Sequence, residues 1–325
     1  MSGGKQQTGA MRGQGVADVG AVEPVEPAEA GEAVAAGEAV AAVEDVERWW
    51  AENPMTYGAE HGRAVYDDGE YRLGTREFFE RVDREFYSWN KPLHGERPFE
   101  RLFPYDLYSG GRVLEVGCGM GTMASNWARA GARITAVDLN PTAIEMTRRR
   151  FELYELAGEV RREDARSLPF ADAEFDYAYS FGVLHHSPDL PRSIAELMRV
   201  LRPGGGFGIM LYNRRSILYR YSIEYVQGFL HYENRFLGPL ELASRYGDGD
   251  TAEGNPHTWP VTKEEALALF GTYSRDVTVR CLGTDLDQLF RQMLPFVGRV
   301  VPRLARKAWA RRYGWSLWIS GKKDA

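Results

Sequence analysis

Residues 112–121 read RVLEVGCGMG, and residues 132–140 read ARITAVDLN. The first segment is a short apolar strand, 112–116, that runs into glycines at alternate positions, Gly117, Gly119 and Gly121. Glycine admits backbone angles closed to other residues and lets a ligand approach the main chain closely. TMASNWARA (122–130) then reads as a helix whose first N–H groups face whatever lies above the turn. An anion is the usual guest there, and the carboxylate of an amino-acid moiety is the candidate. The second strand, 132–139, carries Asp138 at its end, 21 residues after Gly117. A carboxylate so placed can accept both hydroxyls of a ribose. A dinucleotide fingerprint would space its glycines GxGxxG; here the spacing is GxGxG, with Glu115 two places before the first glycine.

Outward from this pair of strands, helices and strands alternate. Asn140 and Pro141 are cap and first residue of a helix, NPTAIEMTRRRFELYEL. Strands are predicted near 159–162 and over FDYAYS (175–180). LPRSIAELMRVL (190–201) reads as a helix stopped by Pro203-Gly204-Gly205-Gly206, and FGIMLYN (207–213) as the next strand. Such alternation implies a parallel sheet with helices on both faces. Asp164-Ala165 follows the third strand, where the carboxylate can accept an exocyclic amino group of adenine while Leu139 and Ala165 pack on the ring. A ring-rich insertion at about 214–260 interrupts the pattern. Helix 262–270 and strand 275–282 resume it, and a second insertion, 283–314, precedes a last strand, 315–320.

The N-terminal side has a different texture. Residues 1–45 hold two basic side chains, Lys5 and Arg12, and eight acidic ones, which accounts for the whole formal charge of -6. The hexapeptide GEAVAA occurs twice there, at 31–36 and 37–42, and no aromatic residue precedes Trp49. So little apolar surface predicts a disordered tail; the other reading is a helix over about 38–50 docking through Val43, Val46 and Trp49. Residues 46–110 form a helical cap, in which Phe78, Val82 and Phe86 make one apolar stripe.

Composition excludes several classes. The body lacks the basic surface that a nucleic-acid backbone requires. Cys118 and Cys281 are too few for a disulfide framework or a Cys-rich zinc site, and no metal is expected. No stretch reaches the ~18 apolar residues of a membrane span, so the cytoplasm is the expected location. Residues 289–312 place Leu289, Met293, Phe296 and Val300 before Arg303, Arg306, Lys307, Arg311 and Arg312. This segment suits an anionic membrane face, a diphosphate-bearing acceptor, or simply solvent.

In this order and spacing, VLEVGCGMG, AVDLNP, DARSLPF, FDYAYSFGVLHHSPD and LRPGGGF resemble the successive motifs of class I S-adenosylmethionine (SAM)-dependent methyltransferases. The likeness covers about residues 112–212 and is strongest to the ubiquinone/menaquinone-type and related small-molecule enzymes. It implies a Rossmann-like, mostly parallel seven-stranded sheet ending in an antiparallel hairpin, with 275–282 and 315–320 as the last strands. It also implies that Glu115, Gly117, Gly119 and Gly121 surround the methionine portion; Cys118, within the same cofactor-binding turn and with no basic partner adjacent in sequence, reads as a small turn residue rather than a nucleophile. Asp138 would hold the ribose, Asp164 and Ala165 the adenine edge, and the carbonyls near Ser180 and Phe181 the ammonium group.

Methyl transfer is an in-line displacement that needs alignment and exclusion of water, and a base only if the acceptor arrives protonated. His185 and His186, after the fourth strand, are candidate bases or pocket residues; His186-Ser187-Pro188 also reads as a helix entry. Tyr57 with Trp49 and Trp50, in WWAENPMTYG, resembles the segment that closes over SAM in small-molecule members. The rings of 214–246 are expected to form the opposite wall, for an aromatic or apolar acceptor methylated at O, N or C. A non-catalytic SAM-binding regulator and an NAD-dependent oxidoreductase are the competing classes.

Overall fold

A computed structural model describes residues 43–52, 72–248, 254–283 and 302–325. The described residues fall in one unit, 39–325. Tyr57, most of the 1–45 tail and residues 284–301 of the second insertion lie outside them.

Seven strands form a single sheet: β1 (Arg112–Val116), β2 (Arg133–Asp138), β3 (Glu159–Arg162), β4 (Phe175–Phe181), β5 (Leu201–Tyr212), β6 (Thr278–Cys281) and β7 (Ser316–Lys322). Their order across the sheet is β3-β2-β1-β4-β5-β7-β6. The first five pair in parallel and β7 is antiparallel to both β5 and β6, so the closing hairpin is where it was expected. The strand order reverses between β1 and β4, and α/β sheets bind ligands at such a switch point, beyond the carboxyl ends of the strands.

One element differs from its sequence reading. The run Pro203–Gly206 does not merely end a helix; it lies inside β5, which begins at Leu201. Phe175 pairs with Leu201 and Tyr177 with Gly206, so the extra residues bulge out of the ladder. Gly204 (φ 73°) accommodates the kink, and the bulge is pinned by Gly204 N–H to Lys323 O at 2.8 Å and Lys323 N–H to Gly205 O at 2.9 Å. Proline and glycine signal a break in either case; only the partner strand turns the break into a bulge.

The helices that cover the sheet are α3 (Thr122–Arg129), α4 (Pro141–Leu153), α5 (Leu190–Val200) and α7 (Lys263–Gly271). Side chains alternate along each strand, so Leu114, Val116 and Ala178 enter one apolar core with Ile194, Leu197 and Phe270. Val113, Tyr177 and Tyr179 enter the other, against Trp127. Trp127 is wholly buried and lies 4.7 Å from the ring of Tyr105 and 5.2 Å from that of Tyr177.

In the cap, α1 (Val43–Glu52) begins inside the span read as tail, and its Val46 is buried. The stripe Phe78, Val82, Phe86 of α2 (Arg76–Trp89) is buried as its spacing requires. On the same helix Asp83 accepts two hydrogen bonds from Arg150 of α4, at 2.8 and 2.9 Å, and one from Thr122 of α3 at 2.8 Å. Arg150 is completely buried and also lies over the Phe79 ring, 4.5 Å from its centre.

The ring-rich insertion opens with a π-helical stretch, Leu218–Leu230, followed by α6 (Pro239–Tyr246). Tyr219 and Ile223 pack on Leu242, Ala243 and Trp315. Tyr221, Tyr225 and Phe229 stack with centres 6.2 and 5.9 Å apart on the exposed side. Tyr232 and Phe236 are exposed too, so most of these rings do not line a wall as expected. A four-residue spacing gives this coil two stripes, and only that of Tyr219 meets the core. The basic helix α8 (Arg303–Tyr313) leads through Gly314 into Trp315 and β7.

Candidate active site

The glycine turn sits at the carboxyl end of β1. Gly117, Gly119 and Gly121 have φ of 85°, 52° and 74°, each in the left-handed region that disfavours a side chain. Their reasons differ. A Cβ at Gly117 would stand 2.2 Å from Val183 Cγ2, so that position is closed by the chain itself. A Cβ at Gly119 would meet nothing within 4 Å, so the middle of the turn opens onto free space.

Two side chains hold the turn from below. Asp138 accepts the Gly119 N–H at 2.9 Å and the Asn140 N–H at 2.9 Å, one on each carboxylate oxygen. Thr147 of α4 donates to the Gly119 carbonyl at 2.8 Å. The N–H of the central glycine is therefore engaged by the chain's own carboxylate. Burial pushes the Asp138 carboxyl above its ordinary range, though these backbone donors favour the charged form.

Beneath the turn, Glu115 is buried, and its Oε2 has no hydrogen-bond partner among the described residues. Burial holds its carboxyl well above the ordinary range, against the Tyr179 hydroxyl and the Ala124 N–H, which favour ionisation. Ser180 Oγ is likewise buried and unpartnered, and Phe181 is half-buried beside it. Cys118 is buried, and burial pushes its thiol well up, which disfavours the nucleophilic thiolate.

Past β3, Asp164 caps its own loop, accepting the Arg166 N–H at 2.9 Å and the Arg166 guanidinium at 2.9 Å. Burial raises its carboxyl, but these donors outweigh it and the group stays below the ordinary carboxylate range. Leu139 and Ala165 are both half-buried nearby in sequence, Ala165 against the core.

The ends of β4 and β5 carry a second cluster. His185 is fully buried with its ring 3.7 Å from that of Tyr212, the last residue of β5. Burial, then His186 and His257, hold it well below the ordinary imidazole range, so it is neutral. The His186 ring lies 4.9 Å from Trp50 of α1, Nδ1 is 3.0 Å from the His257 carbonyl, and Nε2 is 3.5 Å from Asp248 Oδ2. Asp248 also accepts from the Tyr212 hydroxyl and, at 2.5 Å, from Asn255 Nδ2. The Tyr212 ring is stacked 4.3 Å from Trp315. Helix α1 links the two regions: Asn140 Nδ2 donates to the Trp50 carbonyl at 2.7 Å, and Glu47 pairs with Arg162.

Thus Glu115, the glycines and Asp138 come together with Asn140, while His185 and His186 join Tyr212, Asp248, Asn255 and His257. Asp248 and its neighbours were not singled out from sequence. Their only signal was a polar run, GDGDTAEGNPHT, in an otherwise aromatic insertion.

A parallel sheet with this order, a GxGxG turn and a carboxylate at the end of β2 define a SAM-dependent methyltransferase, and the chain belongs to that family. The methyltransferase domain family matches residues 114–209. Methyltransferase GfsG of Streptomyces halstedii is 30% identical over 240 residues, 70% of this chain and 80% of that protein. Phthiotriol/phenolphthiotriol dimycocerosates methyltransferase of Mycobacterium leprae (strain TN) is 46% identical over 99 residues, 30% of this chain but only 36% of its own length. Geranyl diphosphate C-methyltransferase from Streptomyces coelicolor A3(2) has the same fold, with a TM-score of 0.50 at 17% identity over 86% of this chain and 97% of that one. SAM is the cofactor, and a small molecule is the methyl acceptor. Among the described residues, no helix is long and apolar enough to cross a membrane.

Proposed function

We propose that SAM binds across the carboxyl ends of β1, β2 and β4 and that the acceptor, a small molecule with an aromatic or apolar body, sits at the ends of β4 and β5. The observation that carries this reading is the orphaned, buried Glu115 Oε2 beneath a turn whose central glycine opens onto free space. When bound, SAM supplies a methyl group on a positively charged sulfur. Glu115 and the carbonyls near Ser180 and Phe181 take the ammonium group, and Asp138 the ribose. The adenine lies between Leu139 and Ala165, its amino group on Asp164 in competition with Arg166. Trp50, His186 and Tyr212 exclude water from the acceptor. His185, enclosed and neutral, is a packing group of that wall rather than a base. Arg311 and Arg312, exposed on α8, support contact with an anionic group of the acceptor or of a membrane face. The two buried free thiols suit the reducing cytoplasm.

Calorimetry with S-adenosylhomocysteine, which keeps the amino acid, sugar and base, tests the cofactor site. One molecule is expected to bind, with release of a proton. Glu115 is protonated to unusually high pH when free, and an ammonium group beside it lowers its affinity for that proton. Between the free and bound ionisation points, binding therefore releases the proton, and the apparent enthalpy changes with the ionisation heat of the buffer. Tighter binding of NADH would select the oxidoreductase class instead. Labelled SAM offered with a metabolite panel tests catalysis; tight binding without transfer to any acceptor would favour the regulator.

Gly119→Ala separates the cradle from the fold. The left-handed backbone costs alanine about 1–2 kcal/mol, without a clash. The methyl group fills the ligand's space, so S-adenosylhomocysteine affinity is expected to fall roughly tenfold or more beyond any stability loss. Unchanged affinity would move the ligand away from the turn.

A further inference from the structure

We propose that Tyr212 and Asp248, backed by His186, form a proton relay for an acidic hydroxyl, so that the reaction at this site is O-methylation of a phenol or enol. The proposal rests on the SAM-dependent reading above and adds the acceptor class.

The geometry is that of an enclosed carboxyl with a hydrogen-bond donor on each oxygen. The Asp248 side chain is 4% exposed. It accepts from the Tyr212 hydroxyl, from Asn255 Nδ2 at 2.5 Å and more weakly from Thr258 Oγ1 at 3.4 Å. Donors therefore stand on both of its oxygens. Yet among the described residues no arginine or lysine pairs with it; its one ion-pair neighbour is His186. The His186 Nδ1 faces a backbone carbonyl at 3.0 Å, which can only accept, so Nδ1 carries the ring hydrogen. Nε2 faces Asp248 Oδ2. Their separation of 3.5 Å exceeds the roughly 2.7–2.9 Å of a charge-assisted hydrogen bond, and Nε2 has no hydrogen-bond partner among the described residues. The remaining titratable neighbours, His185 and His257, are neutral through burial, His257 pushed down to about 4.

Tyr212 connects this carboxyl to the acceptor side. It ends β5, two residues past Met210, which pairs with Phe181 at the end of β4. Its ring is clamped between His185 and Trp315, so the hydroxyl is fixed against Asp248.

The step balances. The acceptor O–H proton passes to Tyr212 Oη while the proton of Tyr212 passes to Asp248 Oδ1. The electron pair freed on the acceptor oxygen forms the new O–CH3 bond. The S–CH3 bond breaks and leaves its pair on sulfur as a neutral thioether. The negative charge on Asp248 and the positive charge on sulfur vanish together, so no net charge remains in a site of low polarity. Asp248 returns its proton to solvent as products leave.

Wild-type protein saturated with S-adenosylhomocysteine is mixed with 4-nitrophenol below the pH at which that phenol ionises in water, and the yellow phenolate band is recorded. The band is expected in wild type. It should fall by about tenfold or more in Tyr212→Phe and Asp248→Asn, with S-adenosylhomocysteine affinity unchanged within about twofold. Tyr212→Phe keeps the stacked ring and removes one oxygen, so it reads the relay even if Asp248→Asn folds poorly. A merely structural network would shift melting temperatures while leaving the band in place. The proposal is overturned by equal bands in wild type and Tyr212→Phe, by binding of the phenol in neutral form, or by no phenol binding to protein that holds S-adenosylhomocysteine. Failure to hold S-adenosylhomocysteine at all appears before any phenol is added and sinks the cofactor reading instead.

Discussion

Asp138→Ala is expected to weaken S-adenosylhomocysteine binding at least tenfold, and closer to a hundredfold if both ribose hydroxyls use the carboxylate. Each hydrogen bond to a charged group contributes roughly 1.5–3 kcal/mol, and about 1.4 kcal/mol is a tenfold change. The substitution also frees the Gly119 and Asn140 N–H groups, each 2.9 Å from the carboxylate, so the turn and the entry to α4 lose their common anchor. Asp138→Asn is expected to do little better. Both oxygens face N–H donors, and the amide would set its own N–H2 against one of them. Burial raises this carboxyl, so ribose binding should weaken as pH falls, beginning at a higher pH than an ordinary aspartate would give. Calorimetry across pH reads both effects, and unchanged affinity in Asp138→Ala would remove this residue from the ribose site.

The second large effect concerns the fold on which the site stands. Asp83→Ala is expected to lower unfolding free energy by about 3–5 kcal/mol, because it leaves the guanidinium of Arg150 buried without its counter-charge. Arg150 is wholly inside, and Asp83 is the junction of α2, α3 and α4. Loss of Asp83 therefore loosens the cap from the two helices that flank the glycine turn. The pair itself stabilises little relative to apolar groups of similar size, since both charges had to leave water. Accordingly, Asp83→Leu combined with Arg150→Met should be less destabilising than Asp83→Ala alone. Urea unfolding of the three proteins measures this. A loss below about 1 kcal/mol in Asp83→Ala would mean that water reaches the Arg150 site.

Much of the local structure at the proposed cofactor side was legible from local pattern. The strand–turn–helix at 112–129 follows from an apolar run, three spaced glycines and a helix-forming segment, all within reach of nearest-neighbour physics. Asp138 was legible because a strand end has a fixed place in a parallel sheet. Asn140 and Pro141 likewise marked α4 correctly, and Asn140 Oδ1 accepts the Thr142 N–H at 2.8 Å as an N-cap should.

The acceptor side was not legible in this way. His185 and His186 are adjacent and chemically alike, and nothing local separates a sealed, neutral packing ring from one facing a carboxylate. Their difference comes from residues far along the chain: Asp248 lies 3.5 Å from His186, and the His257 carbonyl 3.0 Å away. The rings of 214–246 were equally ambiguous. Their spacing marks two stripes on a coil, but which stripe is buried depends on Leu242, Ala243 and Trp315 arriving from elsewhere.

By itself, then, the order of residues determined the sheet, the glycine turn and the carboxylate at the end of β2, because periodicity and turn chemistry act over a few neighbours. Tertiary structure alone decided that Glu115 is an orphaned buried acid, that Arg150 is enclosed, and that Tyr212, Asp248 and His186 meet. Burial and the pairing of charges are properties of surroundings, and those surroundings are assembled from segments dozens of residues apart.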